Sequence, residues 1–77
     1  MTEYILVVTG VYPPQRVMTS NNKSILSECM LFLANKIPHI ADCMEIRDKN
    51  DGRETTEPDT VIKNHVVRFM LGDHGGC

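Results

Sequence analysis

The sequence predicts a two-layer α+β domain, and three observations predict it. Residues 4–8 (YILVV) are β-branched or aromatic apart from one leucine, and residues 65–71 (HVVRFML) place Val67, Phe69 and Leu71 on one face; both read as strands. Residues 25–37 instead carry apolar side chains at helical spacing. The order is strand, strand, helix, strand, polar excursion, strand; a lone helix must then lie across one face of a mixed sheet, ββαβ(β).

Each element has a local reason. The run at 4–8 is too short for a helix before Gly10, and its alternation puts Ile5 and Val7 on one face and Tyr4, Leu6 and Val8 on the other. With Ile5 and Val7 turned inward, that second face is unusually apolar. GVYPP, residues 10–14, holds two prolines that cannot donate to a ladder, so it reads as a wide loop. A second strand follows at 15–19, with Val17 as its core residue. The SNNKS stretch, residues 20–24, offers helix N-caps, and Leu26, Cys29, Met30, Leu33 and Ile37 form one stripe that ends before Pro38. Ile40, Met44 and Ile46 share a parity and predict a strand over 40–48. Residues 49–60 are polar, contain Asp51-Gly52 and Pro58, and form a surface segment. The last strand, 65–71, turns Val67, Phe69 and Leu71 to one face.

Composition bounds the function. Seventy-seven residues make one small domain with a limited core. The apolar fraction is 42%, no run reaches the roughly 18 apolar residues of a membrane span, and no basic segment opens a signal peptide. Eight Lys and Arg against 10 Asp and Glu leave a net charge of −2, with the basic residues scattered. No footprint for nucleic acid or an anionic membrane results. Cys29, Cys43 and Cys77 are odd in number, lack a CxxC spacing and do not space with His39, His65 and His74 as metal ligands. The expectation is a cytoplasmic protein with no metal and no cofactor, in which Cys29 and Cys43 are packing residues.

The end of the sequence, LGDHGGC, has nothing apolar to bury after Leu71, so residues 1–71 are expected to form the domain and residues 72–77 a flexible tail. Asp73, His74 and Cys77 sit too loosely there to hold a catalytic or metal geometry. With only His74 nearby to lower its pKa, Cys77 is a weak nucleophile.

Taken together, several features resemble ubiquitin and the β-grasp modifiers related to it. These are the strand ending at Thr9-Gly10, the second strand at Val17, one helix before Pro38, Asp51-Gly52-Arg53, the stretch TVIKNHVVRFML, and the paired Gly75-Gly76. The sequence departs from ubiquitin in the YPP loop and in GDH, which replaces an arginine-rich run before the glycines. Activating enzymes that read this stretch are therefore not ubiquitin's own.

The resemblance implies a protein that performs no catalysis itself. It would be made as a precursor, processed by a protease between Gly76 and Cys77, and conjugated through Gly75-Gly76 to target amines by activating and conjugating enzymes. The physical case for glycine is independent: a chain end threaded through a narrow channel must lack Cβ atoms that block the attacked carbonyl. By the same resemblance, partners grip an apolar sheet face formed here by Tyr4, Leu6, Val8, Arg68 and Met70. Two other functions fit the tail or the fold: a β-grasp sulfur carrier activated at the same glycine, and a binding module that is never conjugated.

Overall fold

The computed structural model describes residues 2–51 and 54–72. Strand β1 spans Tyr4–Val8, β2 Gln15–Ser20 and β3 Met44–Asp48; helix α1 spans Lys23–Lys36 and α2 Thr60–Met70. Short 3-10 turns at Pro38–Ile40 and Lys49–Asp51 flank β3. The strands form one antiparallel sheet in the order β2-β1-β3.

This is a small α+β fold, and its details correct the expectation in three places. Residues 60–70, expected to end in a strand, are a helix, so two helices accompany the sheet. The sheet is antiparallel throughout and not mixed. The strand expected over 40–48 is confined to Met44–Asp48, because Pro38 starts a 3-10 turn that takes up Ile40.

Helix α1 begins where its capping chemistry lies: the Asn22 side chain accepts a hydrogen bond from the Ser24 amide at 2.9 Å. It ends with Ile37 donating to the Leu33 carbonyl at 2.7 Å, immediately before Pro38. Leu26, Cys29, Phe32 and Leu33 are its buried residues, and Met30 is half-buried beside them. Full burial of a leucine such as Leu26 or Leu33 contributes about 1.5–3 kcal/mol.

The loop from Thr9 to Pro14 is wide, as the two prolines require, and includes a cis Tyr12–Pro13 bond. A bulge follows: Leu6 opposes Met18 while Val7 opposes Arg16, leaving Val17 as the extra residue. Both Val17 and Met18 consequently pack against the core. Thr56 then pairs with the outer side of β2, its amide donating to Pro14 at 2.9 Å and its carbonyl accepting from Arg16 at 2.8 Å.

Helix α2 starts at Asp59, whose carboxylate accepts from the Ile62 amide at 2.9 Å. Ile62, Val66 and Phe69, spaced for one helical face, are its buried residues. Phe69 lies against Phe32 of α1 with ring centroids 5.7 Å apart. Leu6 and Val8 of the central strand join this cluster, so the sheet face expected to be free is the one the helices cover. Ile5 and Val7 occupy the opposite face and are buried as well.

Candidate functional site

The central strand has no free face. Leu6 (0% exposed) and Val8 (4%) belong to the core, and Tyr4 is half-buried with the Lys23 Nζ 4.8 Å from its ring centroid. Arg68 and Met70 stand on α2, both exposed. The five residues expected to form one recognition face are thus split between the core and the surface of a helix. Gly75, Gly76 and Cys77, the conjugation and processing residues, lie outside the described residues, as do Asp73 and His74.

What the helix does expose is apolar. Val67, Met70 and Leu71, spaced i, i+3 and i+4, are mostly solvent-accessible, and Val61 is exposed one turn and a half earlier. A groove of about 500 Å³ runs beside Val61, His65 and Arg68. Sequence reasoning named only Arg68 and Met70 of this group, because it read the segment as a strand. The available signal was the helical spacing of Ile62, Val66 and Phe69 behind the capping Asp59, which turns residues 67, 70 and 71 outward.

At the start of the same helix, Lys63 and Glu57 pair at 2.9 Å beside Arg16. The Lys63 hydrogen bond, followed by its charge, holds the Glu57 carboxyl below its ordinary value. The pair sits in a cleft of about 380 Å³ between α2 and β2, floored by Val17 and Val66.

A smaller depression of about 260 Å³ brings Gly10, His39, Cys43 and Asp59 to one rim. Its chemistry is limited by existing bonds. The Asp59 carboxylate is engaged at the α2 N-terminus, and its own amide donates to Gln15 Oε1 at 3.1 Å. Among the described residues no hydrogen bond links His39 to Cys43, so the contact that activates a thiol nucleophile is not made. Cys29 does not line this depression and sits in the core, where burial pushes its thiol up to about 11.

Among the described residues no cluster of His, Cys, Asp or Glu is arranged to hold a metal ion. No described helix is long and apolar enough to cross a membrane. No protein-family model, curated protein or solved structure matches the chain.

Proposed function

We propose that this chain is a ubiquitin-like protein modifier, a cytoplasmic, non-catalytic domain that acts through Gly75-Gly76. A protease would cut after Gly76, releasing Cys77 and whatever follows it. The freed carboxylate would attack the α-phosphorus of ATP and expel pyrophosphate; an enzyme thiol would displace AMP to give a thioester, and a target amine would displace the thiol to give an amide.

The observation that supports this reading is how helix α2 ends. Phe69 is the last buried side chain among the described residues; Leu71 is exposed and Gly72, at φ 86°, turns the chain off the end of α2. Gly75-Gly76 follow only three residues later in the sequence. The three-stranded sheet with its first helix is compatible with a β-grasp. The C-terminal helix in place of a last strand sets this chain apart, and the reading rests on the tail's chemistry and not on ubiquitin's sheet face.

Intact mass of the protein recovered from its native cells tests the proposal. An end at Gly76, together with larger covalent adducts that vanish on Gly76→Ala, is the expected result. A sulfur replacing one terminal oxygen would assign the carrier function instead. An intact Cys77 and no adducts would reject both.

One further observation favours a second reading, a binding module that is not conjugated: the exposed apolar group Val67, Met70 and Leu71. Deleting Gly75 and Gly76 leaves such a module working, whereas a modifier loses its activity.

A further inference from the structure

We propose that the outer edge of β3 is a self-association site, at which two copies of this chain pair antiparallel and join their sheets. The inference is independent of the modifier reading.

Strand β3 stands at the end of the order β2-β1-β3, so one of its sides faces away from the sheet. The bonds at its two ends reveal which residues present that side. Thr9 donates to the Cys43 carbonyl at 2.6 Å, and Lys49 donates to the Glu3 carbonyl at 3.0 Å. With Leu6 opposite Ile46, the alternation of an antiparallel ladder commits Glu45 and Arg47 to bonds with β1. The amides and carbonyls of Met44, Ile46 and Asp48 therefore point outward, and among the described residues no backbone group pairs with them. Such a row is a template for another strand.

The side chains specify what that strand is. Place a second β3 antiparallel with Ile46 opposite its own copy, and Met44 falls opposite Asp48 in hydrogen-bonded pairs. Glu45 then falls opposite the other copy's Arg47, and Arg47 opposite its Glu45, in the closer non-hydrogen-bonded pairs. Both unlike-charge contacts arise from one two-fold axis, which is what a closed dimer requires. Neighbouring registers place a like-charge pair on the two-fold axis: a shift one way sets Glu45 against Glu45, and the other way sets Arg47 against Arg47, where Glu45 would face a Lys49 already paired with Glu3.

Two local features agree. Arg47 binds its own Glu45 through Nε, at 2.6 Å, and Nη2, while its buried Nη1 has no acceptor. Glu45 of the facing strand would bring a second carboxylate to the exposed part of this guanidinium. On the helix side of the sheet, Ile46 is only half-buried, and its counterpart in the second copy would cover it. The product is two three-stranded sheets merged into one of six strands.

Sedimentation equilibrium of the full chain, between about 1 μM and about 1 mM, the span of weak association, tests this. The expected result is a reversible monomer–dimer equilibrium. Glu45→Arg alone, or Arg47→Glu alone, makes every cross-strand contact like-charged and should weaken dimerisation about tenfold or more. The double exchange should restore it, as should an equimolar mixture of the two single variants, which no purely structural role of either residue explains. Should a variant fail to fold, hydrogen exchange on the unmodified chain remains decisive: the Met44, Ile46 and Asp48 amides must slow as concentration rises. A chain that stays monomeric throughout, or a dimer indifferent to both reversals, overturns the proposal.

Discussion

Replacing Leu6 with alanine separates the two roles that the first strand was open to. If Leu6 belonged to a partner-binding face, its truncation would leave the fold nearly untouched, changing stability by about 0.5 kcal/mol or less. The structure instead buries it completely, between the helices and among Val8, Leu26 and Leu33. A leucine-to-alanine change at such a site costs about 3 kcal/mol, the lost transfer energy plus the cavity left behind. For 77 residues at roughly 2.1 cal/mol/K each, the unfolding entropy is about 160 cal/mol/K, so 3 kcal/mol lowers Tm by about 18 °C. Total stability for a chain of this size is about 4–12 kcal/mol, so the variant should remain folded in the cold and be largely unfolded well below the parent's midpoint. Far-UV circular dichroism against temperature provides the assay, with Met70→Ala as the control, since Met70 is 66% exposed. A Leu6→Ala melt within about 3 °C of the parent, the shift that 0.5 kcal/mol produces, would refute the burial argument. So would a Met70→Ala variant that is equally damaged.

Three further outcomes follow from single contacts. Burial raises the Cys29 thiol from 9.0 to about 11; a raised acid favours folding in its protonated form, so its contribution is complete below pH 9 and about 2 kcal/mol of it is lost by pH 11. Denaturant midpoints across that window, compared with those of Cys29→Ala, measure the loss, and thiol reagents at pH 8 should label Cys29 only after unfolding. Asp59→Ala removes the acceptor of the Ile62 amide and should cost about 1 kcal/mol, or about 6 °C, while Asp59→Ser recovers most of it in the same thermal melts. Gly10 lies at φ 93°, and a Cβ there would meet the Cys43 Sγ at an unstrained 3.6 Å; Gly10→Ala should therefore cost about 1–2 kcal/mol through the backbone alone, seen as a lower urea midpoint with an unchanged slope.

The first two-thirds of the chain was legible because local and tertiary preferences agree there. The SNNKS stretch contained the cap that α1 uses, Pro38 ends that helix, and the paired prolines widen the loop that joins the paired strands β1 and β2. The last third was misread for a physical reason. Val66 and Val67 are β-branched neighbours, and a short apolar run cannot be told from a buried helical segment by its content alone. Extending the window back to Ile62 would have exposed the spacing 62, 66, 69 and the capping Asp59, three residues before the first buried position. Helix α2 sets Phe69 against Phe32 of α1. Of the surfaces, Arg68 and Met70 were found and Val67 and Leu71 were not, since a strand would have turned them inward.

The central strand determines where recognition is possible. All of Ile5, Leu6, Val7 and Val8 are buried, Leu6 and Val8 beneath the helices, and Ile5 and Val7 on the other face between Arg16 and Thr19 of β2 and Glu45 and Arg47 of β3. A β1 occupied on both faces contributes no side chain to a partner, which removes the sheet centre from any binding scheme. Two regions of the described surface are left: the exposed ridge of α2 and the outer edge of β3. Part of α2 lies beside β2, while β3 closes the opposite end of the sheet. Pairing at the β3 edge therefore leaves the exposed α2 residues Val67 and Met70 outside the strand contact.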